Sequence, residues 1–157
     1  VYFVPAFSGL LAPRWRPDAR GTIVGLTRYA TKAHLARAAL EACAFQTGEL
    51  IDAIALDWGR RPGELKVDGG MTANGVLMQL QADLLDLPVV LPAQAEATVC
   101  GVANAADLAV GQWSGIPELA LAWAESRRWR PRMSAEVRQA LWAEWNRAVD
   151  RSLGWAT

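Results

Sequence analysis

The residue types best suited to chemistry in this chain sit together in Lys66-Val67-Asp68-Gly69-Gly70-Met71-Thr72-Ala73-Asn74. Two adjacent glycines present no Cβ, so a backbone there can come within contact distance of a bound group. A helix opening just beyond them would offer unpaired N–H groups and the positive end of its dipole, an arrangement that holds phosphate. Asn74, one step into that helix, adds an amide able to donate and accept. The chemistry on offer is recognition of a phosphorylated ligand. Strand–Asp–Gly–Gly–helix turns also serve as ordinary connections, so the pattern alone admits a purely structural reading.

The turn needs a strand before it and a helix after it, and both are legible. Residues 64–67 read as a strand; beyond the glycines, Leu77, Leu80 and Leu84 with Met78 and Leu85 mark one helical face that must end before Pro88. Val89-Val90-Leu91 is a further strand. Upstream, residues 1–4 form a strand stopped by Pro5, and residues 6–20 form a long loop with Gly9, Pro13 and Pro17 among Phe7, Leu10, Leu11 and Trp15. Loops of that length in a folded domain are usually functional, and Trp15 is a candidate to line a cleft. Residues 21–25 are a short glycine-bounded strand.

Thr31 suits the N-cap of a long helix whose stripe runs Leu35, Ala38, Ala39, Ala42, Phe45 and on through Leu50, Ile54 and Trp58, with Gly59 and Pro62 ending it. A helix opening at Glu96-Ala97-Thr98 is rich in Gly101, Ala103, Ala105, Ala106 and Ala109, small residues that predict close packing against a neighbour. Pro117 suits the first turn of another helix, running to about Glu125. Ser134 caps the last, with Val137, Leu141, Trp145 and Val149 on one stripe. Strands alternating with helices indicate an α/β fold with a helical C-terminal extension.

Composition narrows the function. With 157 residues, 52% of them hydrophobic and 20% charged, the chain is long enough for one domain with a substantial core. Sixteen basic and sixteen acidic side chains cancel, so no global field steers the chain toward nucleic acid or a membrane surface. The basic run Arg127-Arg128-Trp129-Arg130-Pro131-Arg132 reads as a solvated linker between two helices. No apolar run is long enough to span a bilayer. Cys43 and Cys100 fall in helical stretches, which suggests buried thiols and a reducing, cytoplasmic setting. His34, the single histidine, stands at a helix start and reads as a surface or capping residue rather than a metal ligand. The late tryptophans from Trp113 to Trp155 read as core, Glu41, Glu49 and Asp52 as a solvated helix face, and Asp83 as structural. The first residue is Val1, in a strand-like run with no lead-in, as expected of a piece of a longer protein.

Three separated segments invite one explanation. They are Val4-Pro5-Ala6-Phe7-Ser8-Gly9-Leu10 with Ala12-Pro13, Trp15 and Ala19-Arg20-Gly21; then Gly21-Thr22-Ile23-Val24-Gly25-Leu26, followed after seven residues by His34-Leu35-Ala36-Arg37-Ala38-Ala39-Leu40-Glu41; and the glycine turn with Leu77-Met78-Gln79 and Gln81-Ala82-Asp83. Together, over about residues 1–113, they resemble the C-terminal half of the glycerol kinases, within the FGGY carbohydrate kinases. The resemblance implies an actin-like, ribonuclease H-like ATPase domain and the transfer of a phosphoryl group from Mg2+-ATP to a small polyol, glycerol. It implies Gly70 and Asn74 as ATP-contacting positions, with Gly69 shaping the turn. It also implies that the catalytic aspartate base lies in an N-terminal domain absent from this chain, which leaves residues 1–157 as the nucleotide-binding domain, inactive alone and part of a homo-oligomer.

Two places depart from the family pattern: Arg14 and Arg16 flank Trp15 where an aromatic and an acidic residue are usual, and Val99-Cys100-Gly101-Val102-Ala103-Asn104 replaces an Ala-Leu-Gly-Ala-Ala-like run. The first could alter a loop edge or an oligomer contact, the second helix packing. Two other readings stay open: a kinase of another polyol, pentulose or sugar acid, and a non-catalytic interaction domain that keeps the kinase-like fold.

Overall fold

The computed structural model describes residues 1–94 and 96–156. Strands β1 (Tyr2–Val4) and β2 (Thr22–Val24) form an antiparallel pair, with Phe3 opposite Ile23. The second sheet has the order β3-β4-β5: β3 (Leu65–Lys66) runs parallel to β4 (Val89–Pro92), which pairs antiparallel with β5 (Glu125–Trp129). Around these strands lie helices α1 (Lys32–Trp58), α2 (Gly75–Leu85), α3 (Ala97–Ala109), α4 (Ile116–Ala122) and α5 (Ala135–Arg151).

The ends of α1 follow from local chemistry. At its start the Thr31 N–H donates to His34 Nδ1 at 3.2 Å, and Thr31 Oγ1 lies 2.9 Å from the same nitrogen. The lone histidine is therefore a helix cap. At the other end Gly59 takes the left-handed conformation of a C-cap. The expected stripe is buried at Ala38, Ala42 and Phe45 and exposed at Leu35 and Ala39; burial then passes to Gly48 and Ile51, while Leu50, Ile54 and Trp58 are exposed. A row of i+4 steps slants around a helix of 3.6 residues per turn, so these three rotate away from the contact with α2. Trp58 is shielded by the Arg60 guanidinium, 3.7 Å from its ring centre.

The main core joins β1, α1, α2 and α5 through Val4, Phe45, Leu80, Leu84, Leu85, Trp145 and Val149. Phe45 is its hub: Trp145 stacks on it at 4.8 Å and 7°, and Trp142 meets it edge-on at 5.0 Å and 80°. The C-terminal helix α5 thus packs into the core, as its stripe through Trp145 and Val149 predicts. Beside Phe45, Gly48 leaves room for the Trp142 ring; a Cβ there would lie 2.6 Å from the ring. Trp142 cannot retreat freely, because its Nε1 donates to the Leu84 carbonyl at 3.1 Å. Gly48→Ala is accordingly expected to destabilise the fold by about 1–3 kcal/mol, a cost of overpacking that outweighs alanine's helix propensity. Urea denaturation measures it, and an unchanged midpoint would show that the ring repacks without cost.

The run 127–132 is not a solvated linker. Its first part lies in β5, where Trp129 is buried opposite Val89 and joins a second core cluster with Leu77, Met78 and Ala82. Alternation explains the charges: neighbours of an inward tryptophan point outward, and arginines along an edge strand discourage edge-to-edge association. Arg128 is held by Glu125 at 2.6 Å and Glu64 at 3.0 Å. Because β5 begins at Glu125, α4 ends at Ala122, earlier than the spacing suggests. Two further expectations fail on burial. Cys43 and Cys100 lie in helices but are half-buried, and Trp123 and Trp155 are exposed rather than core.

Candidate functional site

At the end of β3 the chain passes through Asp68 into Gly69, whose φ of +82° an L side chain rarely adopts. Gly70–Ala73 then forms a single 3-10 turn, closed by Thr72 N–H to the Gly69 carbonyl at 3.1 Å and Asn74 N–H to the Met71 carbonyl at 3.0 Å. The buried Thr72 locks it, with its hydroxyl donating to the Gly69 carbonyl at 2.7 Å. Gly70 and Met71 open this turn, so no carbonyl of the turn lies behind their N–H groups. Asp68, Gly69, Gly70 and Met71 are all exposed, and a Cβ placed on either glycine would meet nothing within 4 Å.

Asn74 is not one step into the helix. It is the N-cap of α2: its Oδ1 accepts from the N–H groups of Val76 at 3.1 Å and Leu77 at 3.2 Å. The extra 3-10 turn between glycines and helix shifts the helix start, and the preference of asparagine for caps is the signal that would have found it. The consequence is chemical. With Oδ1 committed to the cap, Asn74 turns only its NH2 group outward, as a donor. The Val76 and Leu77 N–H groups are taken by the cap, so the backbone donors without a partner among the described residues at this shelf are those of Gly70, Met71 and Gly75. The exposed side chains of Met71 and Val76 flank the same shelf.

The long loop 6–20 is pinned rather than free. Gly9 at φ +89° lets the chain pass the Arg16 carbonyl so closely that a Cβ would lie 2.9 Å from it. Arg14 donates to Glu49 at 2.6 Å and to Asn146 Oδ1 at 2.6 Å, tying the loop to α1 and α5. Glu49, expected on a solvated face, has a side chain only 10% exposed and also accepts from Trp145 Nε1 at 2.7 Å. Sequence reasoning missed it because both donors come from segments far away in the chain. Arg16 pairs with Asp18, and that bond, aided by the Gly154 N–H, holds the Asp18 carboxyl well below the usual carboxylate range. Both departures, at positions 14 and 16, thus form ion pairs within this chain. Asp83 is structural as expected, accepting from Arg132 N–H at 2.7 Å and Gln79 Nε2 at 3.0 Å. Trp15 stands exposed in the loop, with φ +51°.

Residues 1–110 match the model of the C-terminal domain of the FGGY family of carbohydrate kinases, and the chain belongs to that family. It is 56% identical over its whole length to the glycerol kinase of Methylobacterium radiotolerans, and 57% identical over 99% of its length to that of Nocardia farcinica. It spans only 31% and 32% of those two proteins. Among solved structures, glycerol kinase of Plasmodium falciparum with ADP superposes with a TM-score of 0.87 at 38% identity, over 97% of this chain and 30% of that one. Xylulose kinase of Rhodospirillum rubrum gives 0.73 at 29% identity, over 93% and 29%. The fold is thus that of the actin-like ATPase domains of carbohydrate kinases.

Proposed function

We propose that this chain is the nucleotide-binding part of an ATP-dependent glycerol kinase, which transfers the γ-phosphoryl group of ATP to a glycerol hydroxyl and yields ADP and glycerol 3-phosphate. The observation that carries the reading is identity of 56% to 57% with glycerol kinases along essentially the whole chain, against 29% with a xylulose kinase. On this reading residues 1–157 are one domain, and the acceptor and the catalytic base sit on polypeptide beyond it.

The turn supplies positioning. Gly69 bends the backbone, Gly70 leaves the N–H groups of Gly70 and Met71 open to an oxyanion of the nucleotide, and Asn74 donates from its NH2. Phosphoryl transfer depends chiefly on such positioning and on charge stabilisation, which suits a site divided between two domains. Mg2+ would accompany the nucleotide. Among the described residues no cluster of three or more His, Cys, Asp or Glu side chains could hold it, so no step is assigned to this chain through the metal. A cytoplasmic homo-oligomer completes the proposal.

The acceptor is tested in the polypeptide at the length of its relatives, by coupled measurement of ADP release. Glycerol is expected to exceed xylulose and gluconate in kcat/KM by about 100-fold or more, which corresponds to about 2.7 kcal/mol. Comparable values for a pentulose would overturn the assignment. Asn74→Asp tests the turn more finely. Aspartate caps a helix as well as asparagine does, so stability is expected to hold. The variant loses the NH2 donors and sets a negative charge beside an anionic ligand, so ADP affinity should fall about tenfold or more. Unchanged affinity in a calorimetric titration would remove the Asn74 amide from the site.

A further inference from the structure

A peptide unit between two glycines turns over more easily than any other, because no Cβ on either side resists rotation about the flanking bonds. The unit joining Gly69 to Gly70 is of this kind, and both residues are exposed. Bareness lets a ligand approach, and it also loosens the backbone that must meet the ligand. The only cis peptide bond among the described residues is Ala12–Pro13. The Gly69 carbonyl and the Gly70 N–H therefore point to opposite sides of one trans peptide plane. Whatever holds that carbonyl also aims that N–H. With the plane turned over, a carbonyl oxygen would face an incoming anion.

Two donors hold the Gly69 carbonyl, and both belong to Thr72: its N–H at 3.1 Å and its hydroxyl at 2.7 Å. Any residue but proline would supply the first bond at this position; the second needs a hydroxyl one atom beyond Cβ. Thr72 is 9% exposed, in the midst of exposed Asp68, Gly69, Gly70, Met71, Ala73 and Asn74. Its β-branched side chain has few rotamers, so little freedom is lost in making the bond. Downstream the turn is anchored by the Asn74 N–H on the Met71 carbonyl at 3.0 Å and by buried Leu77 and Met78 in the second core cluster. Thr72 thus connects the packed side of the turn to its bare side.

We propose that Thr72 is a positioning residue for nucleotide binding: its hydroxyl holds the Gly69 carbonyl away from the ligand and keeps the Gly70 N–H aimed at an oxyanion of the nucleotide. The proposal rests on the reading of this turn as a nucleotide site, and it gives Thr72 no contact with the ligand. The turn must lack side chains where the ligand approaches, so the lock comes from within the fold.

The test uses the polypeptide at its relatives' length. Thr72→Val keeps the shape of the side chain and removes the hydroxyl. The Gly69 carbonyl retains the N–H of residue 72, so the fold should hold; Thr72→Ala replaces the valine variant should it fail to fold. Loss of this one hydrogen bond is expected to raise the Kd for ADP and the KM for ATP about five- to tenfold. The KM for glycerol should stay within about twofold, and Thr72→Ser should return the Kd for ADP to within about twofold of wild type. A role in stability alone would lower the active fraction and move neither constant. In nucleotide-free protein, the amide of residue 72 should lose about tenfold of its protection from hydrogen exchange in Thr72→Val and keep it in Thr72→Ser. Wild-type ADP affinity in Thr72→Val, a loss that serine does not repair, or unchanged exchange protection would each overturn the proposal and leave the nucleotide reading standing. Failure of that reading looks different: the wild-type polypeptide itself would bind no ADP, and the role of Thr72 would fall with it.

Discussion

Gly70→Val should abolish nucleotide binding and leave the fold intact. The backbone at Gly70 does not demand glycine: its φ lies outside the left-handed region, and a Cβ there meets nothing within 4 Å. The substitution instead puts a branched side chain into the open space at the turn that carries the unpartnered Gly70 and Met71 N–H groups. A branched side chain there keeps a phosphate or ribose from reaching the backbone. An increase in Kd of about 100-fold or more is expected, a loss of about 2.7 kcal/mol. The melting temperature should stay within a few degrees. Titration of Mg-ADP by calorimetry reads the first quantity and a thermal scan the second. Wild-type affinity in a folded variant would mean that the ligand does not use this turn. Gly69 would make a poorer probe, because at φ +82° any side chain strains the backbone and mixes a stability loss with a binding loss.

The largest effect on stability is expected from Trp145→Ala. Trp145 is 1% exposed, stacks on Phe45 and donates its N–H to Glu49, so it serves the core and a buried carboxylate at once. Its removal opens a cavity and takes a donor from Glu49, leaving Arg14 to satisfy that side chain. Replacements of this kind cost about 3–5 kcal/mol, a large share of the 5–15 kcal/mol by which a typical domain is stable. For a chain of this length the melting temperature should drop by roughly 10 °C. Trp145→Phe keeps the stack and loses the hydrogen bond, and should cost about 1–3 kcal/mol. If alanine cost less than about 1 kcal/mol in urea denaturation, α5 could not be part of the core, and the packing of Phe45 described above would be wrong.

Glu49 and Trp145 also mark the boundary between what sequence carries and what it does not. The signals that proved right are local, their energetics closed within a few residues. Ser134 caps α5 because its hydroxyl accepts from backbone a single turn ahead, and at Thr31 the side chain of His34 reaches back over the same distance. Gly59 ends α1 because only the left-handed region turns the chain there, and the order of strand, glycine turn and helix around Gly69 and Gly70 is set by residues in direct succession. Those signals sufficed for the α/β class, the position of the candidate shelf and the family resemblance. The shelf's hydrogen bonding was decided at finer scale, by competition between a 3-10 turn and a first helical turn that have nearly the same sequence preferences. The remaining differences are tertiary. The arginine run became a strand because β4 offered Val89 opposite Trp129, and Glu49 turned inward because loop, α1 and α5 converge on it. The small residues of α3 express a capacity for close packing, and whether that capacity is used depends on what lies across from the helix. Composition determines which surfaces can be buried; only the arrangement of distant segments determines which ones are.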